Sequence, residues 1–214
     1  MTVQEIIDLI WSQTEENGTT YPKEVLMGYI NLALDDLTID AKMLDNAPDI
    51  PVTVTNAKAV LRIFDTPVLA TVHEMVDVFF KPDGGKEERL RKLPSGDIVS
   101  RGWVFTSSEL QLRNLGLLSG TGSAHLVYYR KFKRVTAPED VPELPEQYHN
   151  MLVLKGCALV QEREASTDLK RDFLYEYTLA KQAFSLQRMW EMEPQHRNLI
   201  RQVRAIGGIP GRSS

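Results

Sequence analysis

The stretch Ala124-His125-Leu126-Val127-Tyr128-Tyr129-Arg130-Lys131-Phe132, then Pro138-Glu139-Asp140-Val141-Pro142-Glu143-Leu144-Pro145, then Glu146 to Val160, carries the change of period that decides the fold. In the first part Leu126, Tyr128 and Arg130 alternate with Val127, Tyr129 and Lys131, the two-residue period of a strand. The prolines end that strand, and Pro145 suits the first position of a helix. Beyond it Tyr148, Leu152, Leu159 and Val160, with Gly156 and Ala158 between, predict a helix apolar on nearly every side, hence buried on more than one. Its small residues admit a second helix at close range.

Upstream of this junction the grain is strand-like back to about residue 50. Pro51-Val52-Thr53-Val54-Thr55 alternates, Ala59 to Phe64 is rich in β-formers, and Thr71 to Phe80 predicts a longer strand with Val72, Val76, Val78 and Phe80 on one side. Asp83-Gly84-Gly85 is turn chemistry, Lys86 to Lys92 a charged excursion, and further strands are expected at Asp97–Thr106 and Glu109–Arg113. Before residue 50 the period is helical. Val3, Ile6, Ile7, Ile10 and Trp11 form one face, and Thr2 with Glu5 three places on is a capping-box signature. Asn17-Gly18-Thr19 ends that helix. Pro22 then opens a second one, with Val25, Leu26, Tyr29, Ala33 and Leu37 as its stripe, stopping before Asn46-Ala47-Pro48. Downstream, Ser166-Thr167-Asp168 offers a cap for a fourth helix with the stripe Leu169, Phe173, Tyr177, Ala180 and Phe184, ended by Pro194.

The expected fold class is therefore α+β: an antiparallel helical bundle from the N- and C-terminal hairpins, with an inserted antiparallel β module and an extended C-terminal arm. The expected division is 1–48 and 143–193 for the bundle, 49–137 for the β domain and 194–214 for the arm. Each hairpin alone leaves an apolar face uncovered, and packing the two together is the economical remedy.

A chain of 214 residues with 43% hydrophobic and 25% charged content can bury a sizeable core, which excludes disorder throughout. The single Cys157, set in the apolar run Met151–Val160, excludes an internal disulfide or a Cys-rich zinc module and reads as a small buried hydrophobe. No apolar run reaches the length of a bilayer span, and Met1-Thr2-Val3-Gln4-Glu5 lacks the basic start of a signal peptide, so no membrane partner is expected. The net charge of −4 hides an asymmetry: residues 1–50 carry ten acids against two bases, residues 81–134 eleven bases against five acids, and residues 194–214 four arginines and no acid. Opposite charges at separate places suit contact between copies. The candidate interface residues are Glu15, Glu16, Asp35 and Asp36 on the acidic side, with Arg130, Lys131, Lys133 and Arg134 on the basic side.

The sequence points to no catalytic constellation, cofactor site or metal site. His73-Glu74-Met75-Val76-Asp77 misses the two-histidine zinc motif, which needs a helix, by its strand pattern and by Asp77 in place of the second histidine. Glu15-Glu16 and Asp35-Asp36 are neighbours in helices and point about 100° apart, which forbids an acid/base dyad. The Gly116–Gly122 stretch lacks the lysine of a phosphate loop. Tyr128-Tyr129 beside Arg130 and Lys131 could stack on a nucleic acid, but alternation sends one tyrosine to the core. A sugar-binding platform on the β module would have to centre on Trp103.

Leu126-Val127-Tyr128-Tyr129, a variable basic stretch, then Val141-Pro142-Glu143-Leu144-Pro145-Glu146-Gln147-Tyr148-His149 and an apolar helix resemble the head–tail adaptor (connector) proteins of tailed bacteriophages. The opening is similar too, with Val3 to Trp11 followed by Tyr21-Pro22 and Tyr29-Ile30-Asn31. The resemblance implies a structural virion protein of the neck, assembled in the host cytoplasm and not an enzyme. It implies partners as well: copies of itself in a ring, usually of twelve, the portal protein, and a downstream tail or nozzle protein, with DNA only as passing cargo. On that reading the arm bearing Arg197, Arg201, Arg204 and Arg212 binds the portal. Another phage tail-completion or ring protein, or a tail-associated cell-wall hydrolase, remains an alternative at this point; a hydrolase needs two carboxylates about 5–9.5 Å apart across one cleft.

Overall fold

The computed structural model describes residues 1–16 and 18–206, with side chains described as far as Arg188. Asn17 and Arg212 lie outside the described residues. The chain divides into two compact units, one of Met1–Lys42 and Lys131–Met192, the other of Met43–Arg130 and Glu193–Ser214.

The first unit is helical. Helix α1 (Val3–Thr14) starts at the expected capping box: the Glu5 N–H donates to the Thr2 hydroxyl at 3.3 Å, and the Thr2 N–H donates to the Glu5 carboxylate at 2.7 Å. Two more of its first N–H groups are satisfied by an extended strap, residues 131–145, Val3 by the Asp140 carbonyl and Gln4 by that of Pro138. Helix α2 (Lys23–Ala41) follows Pro22 and buries Leu26, Ile30, Ala33, Leu34 and Leu37. The strap is tied to it by Asn31, whose amide bonds both ways with the Val135 backbone at 2.9 Å. After a 3-10 turn at Glu146–Tyr148, helix α4 (His149–Arg163) is buried on nearly every side between Met151 and Gln161, as its sequence predicts. A Cβ on Gly156 would lie 2.4 Å from Ile10 Cδ1, so the small residue sits at the close approach of α1 to α4. Cys157 is fully buried beside it, and desolvation pushes its thiol up to about 12.

The second unit overturns the expected fold class. In place of a small β module projecting from a dominant bundle there is a seven-stranded antiparallel sheet, nearly closed into a barrel, with its own large core. The strands are β1 (Met43–Thr55), β2 (Lys58–Arg62), β3 (Val72–Pro82), β4 (Glu88–Leu90), β5 (Gly102–Phe105), β6 (Glu109–Arg113) and β7 (Ser119–Arg130), and a short helix α3 (Pro67–Thr71) precedes β3. They lie in the order β4-β3-β7-β1-β2-β6-β5. The two outermost strands meet: just past β4, Lys92 bridges Trp103 in parallel, with the Trp103 N–H on the Arg91 carbonyl at 2.9 Å and the Leu93 N–H on the Trp103 carbonyl at 2.8 Å. This bridge ties the two outermost strands together and gives the sheet an inside. That inside is filled by Trp103, Phe80, Val78, Leu110, Leu112, Ala124 and Leu126, each nearly or wholly excluded from solvent.

Three local features hide this unit from a period count. β1 begins eight residues before the alternating run, because Met43 to Ala47 pair with Arg130 to Leu126 despite the turn-like Asn46 and the nearby Pro48. A bulge between Ala47 and Ile50, with Asp49 at a φ of 55°, absorbs the proline. The charged excursion Lys86–Lys92 contributes the edge strand β4. Two bulges in β3 turn Met75 inward and Val76 outward, against the alternation expected there.

The expected stop at Pro194 and the extended arm are corrected as well. The last helix, α5 (Thr167–Ile206), runs through Pro194. Strong helix formers on both sides carry it past one missing hydrogen bond.

Gly102 and Gly156 separate two kinds of close approach. A Cβ on Gly102 would fall 2.2 Å from the Arg91 carbonyl, backbone that bridges the outermost strands, whereas the Cβ on Gly156 meets the end of the Ile10 side chain. Gly102→Ala is expected to destabilise the protein by about 2–3 kcal/mol and Gly156→Ala by about 1 kcal/mol, measured by urea denaturation. Equal effects would refute closure at Trp103.

Candidate functional site

The helical unit carries a concentrated polar site where α5 docks on α2. Asp36 and Asp40, one turn apart on α2, face Tyr177 and Lys181, one turn apart on α5. The Tyr177 hydroxyl donates to Asp36 Oδ2 at 2.7 Å, and Lys181 Nζ donates to Asp36 Oδ1 at 2.8 Å and to the Asp36 carbonyl at 3.3 Å. Lys181 also pairs with Asp40 at 3.3 Å. From α4, Lys155 comes within 3.9 Å of Asp36 Oδ2, with its ammonium 5.1 Å from the Tyr177 ring centre. Further along, Phe184 stacks edge-on against Tyr148 at 4.8 Å, and Arg188 reaches the Ala41 carbonyl at 3.4 Å. A shallow open groove beside this lock is lined by Asp40, Thr178, Lys181, Gln182, Ser185 and Leu186.

The charges here are tuned for holding. Burial alone would raise the Asp36 carboxyl, but the hydrogen bonds of Lys181 and Tyr177 and the charges of Lys181 and Lys155 outweigh it and keep its pKa below the ordinary value. Burial and the hydrogen bond to Asp36 push the Tyr177 phenol up. For Lys181 burial pulls the pKa down, and Asp36 and Asp40 more than compensate, so it stays protonated. Each group is held in the state that bonds to its neighbour, and none is poised near neutrality for proton transfer.

The candidate interface residues fall in several places. Asp35 and Arg134 come together within one chain at 2.7 Å. Asp36 is held in the lock. Glu15 and Glu16 sit at the C-terminal end of α1, where both backbone N–H groups bond to the Trp11 carbonyl. Arg130, at the end of β7, lies 3.7 Å from Asp45 on β1. The Lys133 backbone N–H donates to the Glu143 carboxylate at 3.1 Å, and Lys131 and Lys133 are exposed on the strap. Arg197, Arg201 and Arg204 lie on the α5 backbone. The sequence reading missed Asp40, Lys155 and Lys181. A hint existed in Tyr177 and Lys181 at a four-residue spacing, but their partners lie some 140 residues away.

Other candidates resolve structurally. His73 and Glu74 are exposed on strand β3, and Asp77 pairs with Arg89 at 2.6 Å. Trp103, the required centre of a sugar platform, is 1% exposed inside the barrel. Tyr128 is the tyrosine that faces the core. Among the described residues no group of three or more His, Cys, Asp or Glu could hold a metal ion, and no helix is long and apolar enough to cross a membrane.

The polar groups of this site hold α5 on α2. The family model of the SU10 adaptor protein matches residues 1–202, and the chain belongs to that family, a bacteriophage head–tail adaptor family. It is thus a phage structural protein of the virion that interacts with other virion proteins. No curated protein matches the chain significantly.

The lock sets a pH dependence with two limbs. Asp36, depressed, stabilises the fold fully above the ordinary carboxylate pKa of 3.8 and loses that contribution as pH falls through its lower folded value. Lys181, elevated, stabilises below its ordinary 10.5 and loses that contribution as pH rises through its higher folded value. Asp36→Asn is expected to lower stability by about 1–2 kcal/mol at pH 7 and to flatten the acid limb of a Tm-against-pH curve; an unchanged acid limb would show that Asp36 is not the group responsible.

Proposed function

We propose that this protein forms a ring of identical copies, on the order of twelve, between the portal and the tail of the phage particle. The match of the adaptor family model to residues 1–202 carries this reading. In it, the helical unit meets the portal and the β unit faces the next tail or nozzle component. Assembly takes place in the host cytoplasm, and the genome passes through the lumen as cargo.

The nearly closed barrel suits such a post. A sheet whose outermost strands are bridged to one another leaves less open edge for stray copies to pair with. The C-terminal part of α5, with Arg197, Arg201 and Arg204, followed by Arg212, supplies four cations and no acid for an acidic portal surface.

Mixing the purified chain with purified portal should give rings of one multiplicity by mass photometry and negative-stain microscopy. A chain that stays monomeric and binds no portal would overturn the reading. Removing residues 195–214 should weaken portal attachment by about tenfold or more with the far-UV spectrum of the remaining chain intact; undiminished attachment would remove the basic segment from the contact.

A further inference from the structure

Two exposed apolar rows in the helical unit have the same spacing. On α2, Gly28, Leu32 and Ile39 lie on one face; Leu32 is 52% and Ile39 56% exposed, and beyond the adjoining helix backbone nothing lies within 4 Å of where a Gly28 Cβ would be. On α5, Tyr175, Leu179 and Leu186 lie on the face opposite the buried Tyr177 and Phe184, and they are 65%, 48% and 59% exposed. Both rows step by four and then by seven residues. Laid parallel in one register, Tyr175 meets the open Gly28, Leu179 meets Leu32, and Leu186 meets Ile39. The same register sets Arg171, whose side chain is 73% exposed, against the exposed Glu24. Laid antiparallel, the steps do not match.

We propose that the α5 row of one copy docks on the α2 row of the next, and that this contact joins neighbours in the ring. The inference deepens the ring reading above and rests on it. A closed cyclic assembly uses two different patches of one subunit, and the helical unit displays two. Within one chain α5 runs parallel to α2, since Asp36 meets Tyr177, Asp40 meets Lys181 and Ala41 meets Arg188. Rotation about a ring axis preserves the axial direction of each helix, so helices along that axis also meet in parallel between copies. The charges agree at one place in this register, where Glu24 of one copy faces Arg171 of the next.

The test introduces Leu32→Cys and Leu179→Cys into one chain, assembles it with purified portal and applies mild copper-catalysed oxidation. Cys157 is buried and stays silent. A ladder of covalent oligomers is expected, while the misregistered pair Leu32→Cys with Leu186→Cys yields at least about tenfold less. Separately, Leu179→Asp should raise the concentration needed for ring formation at least about tenfold while leaving the helical CD signal unchanged. Glu24→Arg should weaken assembly, and adding Arg171→Glu should restore it. Rings that survive Leu179→Asp, with no ladder or only an intrachain crosslink, overturn this interface and leave the ring reading standing. A wild-type chain that forms no ring with portal overturns both.

Discussion

The pairing of β1 with β7 organises everything else. These are the strands by which the chain enters and leaves the β unit, and their ladder runs from Met43 opposite Arg130 to Thr55 opposite Ser119. Antiparallel partners sit about 5 Å apart at each step. Residues 42 and 131 are therefore delivered side by side, although 88 residues separate them. Two helical segments that could not find each other along the chain begin at one place, and their apolar faces meet there with little further loss of chain entropy.

From that start each unit solves its own boundary problem. The β unit brings its edges together, with Gly102 small enough to let the Trp103 strand reach the Arg91 carbonyl. The helical unit closes α1 on α4 through Gly156 and then adds α5 through longer side chains. The attachment of α5 relies on charge as much as on packing: one aspartate, engaged by a lysine and a tyrosine and approached by a second lysine, holds it on α2. Breaking one partner of a part-buried cluster is worse than never having had it, because the others lose their compensation.

The perturbed polar groups of the helical unit serve to join its helices. The perturbed side chains, Asp36, Tyr177 and Lys181, are each stabilised in the form that bonds to a neighbour, and they bond across helices. What faces outward on the same helices is apolar and uncharged at Leu32, Ile39, Leu179 and Leu186. For a member of a phage adaptor family the surface carries the function, and the interior serves to keep that surface in shape.

The sequence by itself determined the local elements whose signals lie within one turn or one strand. The Thr2–Glu5 box, the all-round apolar α4 with its small residues, the strand of alternating tyrosines and the buried Cys157 all follow from neighbouring residues, because capping, amphipathicity and alternation act over a few positions. The order of elements and the junction near Tyr128–Tyr148 also sufficed to indicate the adaptor family. Only the tertiary structure decided the weight of the β unit, the course of β1 past Pro48, the inward turn of Met75 and the partners of Asp36. Bulges change a strand's facing without changing its composition, closure needs two distant edges to meet, and an ion pair spanning 145 residues leaves no trace in local spacing.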